Sequence, residues 1–379
     1  MYTVNSFFCG GGGFDLGFIN AGFEVVGAWD FDKYAVESYA HNIDTLVKQA
    51  DVSELSWRDL RPASVWLFGF PCQDISIAGL KAGMIKGETR SGLFYEIMRL
   101  LQEVRTAAPG SLPEIIVAEN VKAVKKYLPT IEEEYAKVGY KMYYVLYNSK
   151  YQGLAQNRER YFILGVREDI KQTFVFEEQQ TEFVPKLKDF LEDHADEKFY
   201  VDDIKALHII EKAEEGLRVK QATKKGYDVA VEGDMINVTR PNSKTRRGRI
   251  GKQIAQTLLT GHEQVVVESL PTINVLGMLD INGHDNIRRV YDVDGLSPTL
   301  NTGGGGNRQP KILDYDRLKV RKLTPREFAR LQGFPESYQQ VVSNVQFYKQ
   351  MGNAVSVPIA EFVAGQIRQY LEYLEGCSN

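Results

Sequence analysis

Three short stretches of this sequence carry side chains able to do chemistry, and each follows an apolar run. Val65–Phe70 (VWLFGF) leads into Pro71-Cys72-Gln73. A cysteine held there, with its backbone fixed by the preceding proline, offers a thiolate nucleophile. A lone cysteine is more often an inert core residue, so the thiol by itself decides nothing. Glu114–Ala118 (EIIVA) leads into Glu119-Asn120-Val121. A carboxyl after so apolar a run is partly desolvated, which favours its protonated form near neutrality. The plain alternative is an exposed strand-end acid. Val4–Phe8 leads into Cys9-Gly10-Gly11-Gly12-Gly13, where glycines admit a ligand close to the backbone. The turn fits neither phosphate-binding pattern. G-x-G-x-x-G fails at Asp15 counted from Gly10 and at Leu16 counted from Gly11, and G-x-x-x-x-G-K-[ST] does not occur. Asp30, about 20 residues on, suits a pair of ribose hydroxyls. Gln156-Asn157-Arg158-Glu159-Arg160 sets two arginines two apart, on one face of an incipient strand. There they can clamp an anion or a base carbonyl, or simply be a solvated strand end.

The elements around these residues bring them together. Strand-like runs at Val4–Phe8, Glu24–Trp29, Val65–Phe70, Glu114–Ala118, Tyr140–Asn148 and Arg160–Arg167 alternate with helical stretches. The helices are expected at Gly13–Ala21, Asp32–His41 and Ser91–Thr106, with a further one running through Val138. Alternation of this kind implies an α/β fold with a doubly wound sheet. Ligands bind such a sheet beyond the carboxyl ends of its strands, so glycine turn, thiol and carboxylate share one rim.

Near residue 177 the pattern changes. Glu177–Glu215 is acidic and mixed, and from Arg240 to His262 there are six basic residues and no acidic one. A four-glycine loop follows at Gly303–Gly306, with Arg308 just beyond, and helical character returns at Pro325–Leu331 and Val355–Tyr373. Residues 1–183 read as a catalytic and cofactor-binding domain, 184–344 as a second domain with a hinge, and 345–379 as a helix that rejoins the first.

Composition narrows the class. The 379 residues suit two domains or one elaborated one, and 43% hydrophobic with 25% charged residues is an ordinary folded mixture. No apolar run approaches the ~20 residues of a membrane helix, and MYTVNSFF is not a secretory signal. Three cysteines without a C-x-x-C spacing exclude a disulfide framework and a zinc site, so no metal is expected. The reading is a reduced, cytoplasmic protein without membrane attachment. A net charge of -4 excludes a uniformly basic nucleic-acid binder but permits a local patch.

Taken in order, the motifs resemble the DNA (cytosine-5) methyltransferase family of bacteria and phages. Phe8 to Phe14 is similar to the family's F-x-G-x-G-G turn, with Cys9 where alanine is usual. Gly69-Phe70-Pro71-Cys72-Gln73 matches the nucleophile motif, Glu119-Asn120-Val121 the E-N-V motif, and Gln156 to Arg160 the Q-x-R-x-R motif. Arg321 to Glu327, continuing through Leu331-Gln332-Gly333-Phe334-Pro335, fits the late structural motif, and Gly352-Asn353-Ala354-Val355 the final G-N-x-V. Residues ~180–315 carry little of the resemblance, as befits a variable target-recognition region.

The resemblance implies a doubly wound, Rossmann-like, S-adenosylmethionine-dependent methyltransferase sheet with a smaller, β-rich target-recognition domain. It implies methyl transfer to C5 of a flipped-out cytosine in a specific duplex sequence. Cys72 would attack C6, protonated Glu119 would hold N3, and Arg158 would contact the O2 side. Arg160 would be structural or a phosphate partner, while Pro71 and Asn120 position the nucleophile and carboxyl. The cofactor S-adenosyl-L-methionine would lie over Phe8, Gly10 and Gly12, with Asp30 on the ribose and Asp51 on the adenine amine. Phe31 and Leu93 would pack the adenine, and Asn353 with Val355 would close the methionine end. Asp74–Arg90 would close over the flipped base. DNA contacts are expected from Gln73, Ser76, Arg240, Arg246, Arg247, Thr299, Gly304 and Arg308. The partner is duplex DNA, bound by a monomer, with any cognate restriction endonuclease acting separately. Two alternatives stay open: a tRNA cytosine-5 methyltransferase, and a catalytically idle DNA-binding module of the same fold. The basic insert favours DNA, and the intact Cys72, Glu119 and Arg158 favour an enzyme.

One pattern lies outside the resemblance. Arg246-Arg247, Thr257-Leu258 and Thr260-Gly261 recur 42 residues later as Arg288-Arg289, Thr299-Leu300 and Thr302-Gly303. The expectation is one β-rich unit in two copies. Two recognition specificities would need both copies to read DNA. A duplicated scaffold is the favoured reading, because the first copy lacks the glycine loop.

Overall fold

The computed structural model describes residues 1–71, 90–180, 184–199, 217–220, 222, 224, 227–230, 235–237, 250–251, 264–266, 273–279, 281, 284–300, 309–314 and 319–377. In the first half of the chain, β1 (Thr3–Phe7), α1 (Gly13–Asn20), β2 (Glu24–Asp30), α2 (Lys33–Asn42) and β3 (Val47–Gln49) come first. They are followed by β4 (Val65–Phe68), α3 (Phe94–Ala107), β5 (Ile115–Val121), α4 (Leu128–Lys137), β6 (Tyr140–Asn148) and β7 (Glu159–Arg167). The seven strands form one sheet in the order β3-β2-β1-β4-β5-β7-β6.

Period-two alternation makes this sheet apolar on both faces. In β4, Val65 and Leu67 enter one core while Trp66 and Phe68 enter the other; in β5, Ile115 and Val117 part from Ile116 and Ala118 in the same way. Each such side chain, fully buried, contributes about 1.5–3 kcal/mol. The second core is anchored by Phe7, which stacks on Trp29 at 5.2 Å and meets Trp66 at 5.0 Å. It is covered by α3, whose Phe94, Ile97, Leu101 and Val104 recur at helical spacing.

The first core is closed by the far end of the chain. α8 (Val357–Cys377) lies on α1, and Gly17 lets the two approach: a Cβ there would stand 2.4 Å from Ala360 Cβ. α8 starts two residues later than its pattern predicts, with Pro358 in its first turn.

Three further features differ from the sequence reading for physical reasons. The strands of the first five positions are parallel, but β7 runs antiparallel to both β5 and β6. The ten residues between β6 and β7 are too few for the crossover a parallel pair needs. β5 does not stop at Ala118. It runs to Val121 because β7 pairs along its whole length, Val121 opposite Arg160. The α-helix expected from Ser91 starts at Phe94, after a 3₁₀ turn at Arg90–Leu93 that holds the poor helix former Gly92.

The second half is β-rich where it is described. It holds β8 (Leu217–Lys220), β9 (Tyr227–Ala230), β10 (Met235–Asn237), β11 (Ile250–Gly251), β12 (Gln264–Val266), β13 (Val275–Met278), α5 (Asp285–Arg288), β14 (Arg289–Tyr291), β15 (Lys311–Asp314) and β16 (Lys319–Lys322). The largest of the smaller sheets has the order β13-β14-β15-β16. α6 (Pro325–Leu331) opens on a capping box between Thr324 and Glu327, and α7 (Asn344–Asn353) packs beside it. One hydrophobic core unites Val184, Leu187, Leu296, Leu300, Phe328, Phe347 and Met351. It runs straight across the boundary drawn at residues 344 and 345. No helix among the described residues is long and apolar enough to cross a membrane.

Candidate active site

The glycine turn leaves β1 in a strained conformation. Phe8 has φ 56°, the single positive φ among described non-glycine residues, and Gly10 and Gly12 follow at 56° and 82°. A Cβ on Gly10 would meet nothing within 4 Å among the described residues, so that face of the turn is open to them. A Cβ on Gly12 would strike Ile43 at 2.0 Å and Tyr39 at 3.0 Å. Asp30, the last residue of β2, takes hydrogen bonds from Gly10 N at 2.9 Å and Asp32 N at 2.8 Å. Burial pushes its carboxyl up, and those two amides pull it partly back. Phe31 stands 72% exposed beside it, an unusual place for a bare aromatic ring and a fitting one for a planar ligand. Asp51 caps the turn at Val52–Glu54 by accepting from Ser53 N at 2.9 Å. Leu93 ends the 3₁₀ turn before α3. These residues lie at the carboxyl ends of β1, β2 and β3 and the start of α3, and they fit a nucleoside.

The methionine-end candidates sit on the other side of the turn. Asn353 is exposed at the end of α7, and Val355 is buried; a Cβ on Gly13 would stand 2.3 Å from Val355 O. Tyr338 donates its hydroxyl to Gly11 O at 2.9 Å. Two partners here had no motif to announce them: Tyr338, and the Lys349–Asp32 ion pair at 2.6 Å.

Glu119 lies near the carboxyl end of β5. It is 7% exposed, and burial pushes its carboxyl up, opposed first by Arg160 and then by Arg158. Arg160 Nε stands 3.1 Å from Glu119 Oε1, an ion-pair contact without hydrogen-bond alignment, since that oxygen accepts no hydrogen bond among the described residues. Asn120 Nδ2 donates to Phe70 O at 3.1 Å, which ties the carboxylate strand to the backbone two residues before Cys72. A Cβ on Gly69 would lie 4.0 Å from Glu119 Oε2, so the chain entering Pro71 passes beside the carboxyl.

The two arginines do not share a face. Arg158 lies one residue before β7, where the chain bridges Ser297 instead of β5, so strand alternation does not govern it. It is 2% exposed, and its guanidinium donates to Gly352 O at 3.2 Å, Ala354 O at 2.8 Å and Leu300 O at 3.5 Å. The described hydrogen bonds of the Arg158 guanidinium thus go to backbone carbonyls. Arg160, expected to be structural, is the arginine at the carboxylate.

Cys72, Gln73 and Ser76, with the rest of the 74–89 loop, lie outside the described residues, as do Arg240, Arg246, Arg247, Gly304 and Arg308. So do the paired dipeptides of the first repeat copy. Of the expected DNA contacts, Thr299 is described: it is exposed and donates its hydroxyl to Asn157 O at 2.7 Å.

The profile of the C-5 cytosine-specific DNA methylase family matches residues 2–369. The orphan methyltransferase M.Rho11sI of Bacillus phage rho11s is 28% identical, over 95% of this chain and 96% of its own. The type II methyltransferase M.HhaI of Haemophilus parahaemolyticus is 26% identical, over 97% and 94%. The solved structure of the S. pombe Dnmt2 methyltransferase shares the fold with a TM-score of 0.63 at 19% identity, covering 99% of this chain and 100% of that one. Because the family match takes in the glycine turn, the carboxylate strand and most of the closing helix in one span, the chain belongs to the C-5 cytosine-specific DNA methylase family, and it is an S-adenosylmethionine-dependent DNA cytosine-5 methyltransferase.

Proposed function

We propose that this enzyme methylates C5 of a cytosine flipped out of a specific duplex sequence, through a covalent bond between Cys72 and C6. The observation that carries the reading is the buried Glu119 carboxyl, held toward its protonated form by burial and flanked by Arg160. Cytosine C5 is a poor nucleophile. Attack of the Cys72 thiolate on C6 forms a C–S bond and pushes electron density to C5 and N3. Glu119 donates its proton toward N3, and Arg160 offsets charge on the O2 side. S-adenosylmethionine, when bound, supplies an electrophilic methyl group. Once C5 carries it, with S-adenosylhomocysteine as the leaving group, a base removes the C5 proton, N3 returns its proton to Glu119, the C–S bond breaks, and the Cys72 thiolate is restored.

Phe8 and Gly10 supply the open backbone of the cofactor site, Gly12 holds the turn against Ile43 and Tyr39, Asp30 faces the ribose, and Asp51 faces the adenine amine. Phe31 and Leu93 pack the adenine, and Asn353 with Val355 closes the methionine end. Pro71 and Asn120 set the nucleophile against Glu119, supported by the Asn120–Phe70 bond. None of this reaches a base inside a duplex, so flipping costs a few kcal/mol of unstacking, offset by pocket contacts. Recognition falls to the β-rich region within 184–344, with Gln73, Ser76, Arg240, Arg246, Arg247, Thr299, Gly304 and Arg308 facing DNA. The enzyme acts as a cytoplasmic monomer, independently of any nuclease.

Transfer of tritiated methyl groups tests this directly. Wild type should label unmethylated duplex DNA and not tRNA, and Cys72→Ala should label neither while still binding S-adenosylhomocysteine. Labelling of tRNA alone would move the substrate to RNA, and labelling by the Cys72→Ala variant would remove the covalent route.

A further inference from the structure

Arg158, expected at the base, stands at a junction. Its N–H groups reach two segments far apart in sequence: Gly352 O and Ala354 O at the end of α7, and Leu300 O in the segment that leads into the glycine-rich loop. Both segments matter to the proposed reaction. Ala354 and Val355 press on the glycine turn at Gly13. Ser297 to Leu300 is stitched to residues 155–157 by Ser297 N to Ala155 O at 2.7 Å, Asn157 N to Ser297 O at 3.0 Å and Thr299 Oγ1 to Asn157 O.

Gln156 repeats the connection two residues away. It accepts from Leu300 N at 3.2 Å through Oε1 and donates to Leu331 O at 2.7 Å through Nε2. Gln332 continues it, donating to Met351 O at 2.6 Å and accepting from Ser356 Oγ at 2.7 Å. Arg158, Gln156 and Gln332 are all buried to 2% exposure or less. A buried network of this kind holds its geometry because each group left without a partner would cost its full desolvation. A guanidinium also presents its donors in a rigid fork, so a shift of either carbonyl segment is felt by the other.

We infer that Arg158, with Gln156, is a positioning residue that couples cofactor binding at Gly352–Val355 to the placement of the DNA-reading segment at Ser297–Leu300. Cofactor binding orders one set of carbonyls, and the fork then orders the other; by linkage, DNA tightens the cofactor by the same factor. The inference rests on the proposed reaction only in taking the first segment as cofactor-facing and the second as DNA-facing.

Equilibrium dialysis of tritiated S-adenosylhomocysteine, with and without unmethylated plasmid DNA, reads the coupling as a ratio of affinities. In the wild type DNA should tighten binding by about 5–150-fold. Arg158→Lys keeps the charge but has one nitrogen, and should bring the ratio close to one whatever its affinity without DNA. A wild-type ratio of one, or a variant ratio equal to the wild type's, overturns the inference. Should Arg158→Lys fail to fold, hydrogen exchange on the wild type decides: S-adenosylhomocysteine alone should slow the amides of 295–300 as well as those of 350–357. Slowing confined to 350–357 overturns it. The proposed reaction is judged separately, since Cys72→Ala should abolish methyl transfer while keeping the wild-type ratio.

Discussion

Asp15, in the first turn of α1, is fully buried, and the side chains that donate to it are neutral hydroxyls: Ser6 Oγ at 2.9 Å and Tyr39 Oη at 3.0 Å. Burial raises its carboxyl from the usual 3.8 to about 6, the two hydroxyls pulling against it. The folded chain therefore holds a proton there that the unfolded chain has already lost. Stability from this group is fully present below about pH 3.8 and is lost as pH rises through about 6, a total of about 3 kcal/mol. About half of that falls between pH 5 and pH 8. Asp15→Asn removes the titration and keeps the shape, because Ser6 can turn its hydroxyl to accept from the new amide. Urea unfolding followed by the fluorescence of buried Trp29 and Trp66 should show the variant gaining roughly 1–2 kcal/mol on the wild type between pH 5 and pH 8. Parallel curves across that range would refute the reasoning, and would mean that the carboxyl is ionised in the folded protein throughout.

Gly17→Ala should destabilise the fold by about 1–3 kcal/mol, read from the urea midpoint, because its Cβ would meet Ala360 Cβ at 2.4 Å and Glu361 N at 2.5 Å; an unchanged midpoint would deny the tight α1–α8 contact. Arg160→Gln removes the cation that lowers the Glu119 carboxyl, so the alkaline limb of kcat/KM should move to higher pH as kcat falls about 10²–10³-fold. A limb that stays in place would separate Arg160 from the carboxyl. Arg246→Ala with Arg247→Ala should flatten the log–log salt dependence of DNA binding by about 1.8, and an unchanged slope would make that basic stretch a merely solvated face.

What the sequence made legible was the local part. Apolar runs such as Val65–Phe68 and Ile115–Ala118 mark strands covered on both faces, and the glycine turn, Asp30 and Glu119 fall at strand ends as the alternation implies. The contacts that were not legible are long-range. Nothing in a two-residue spacing tells Arg158 from Arg160; the difference arises because Arg158 precedes the strand and meets carbonyls about 190 residues away. Gln332 lay inside a matched motif, yet its bonds to Met351 O and Ser356 depend on how α7 returns to the sheet. Tyr338 belongs to no motif, and its grip on Gly11 spans 327 residues. The reversed strand next to the sheet's edge was readable in principle, from the short connection between Asn148 and Glu159.

The central claim is the bond between Cys72 and C6, and it is tested most directly by trapping. Duplex DNA in which 5-fluorocytosine replaces cytosine should, with S-adenosylmethionine present, leave wild-type enzyme in a denaturant-resistant complex, since fluorine cannot leave C5 as a proton does. Peptide mapping of that complex should place the DNA on Cys72, and Cys72→Ala should form none. A wild-type enzyme that methylates ordinary DNA yet gives no trapped complex, or one trapped through another residue, would contradict the account.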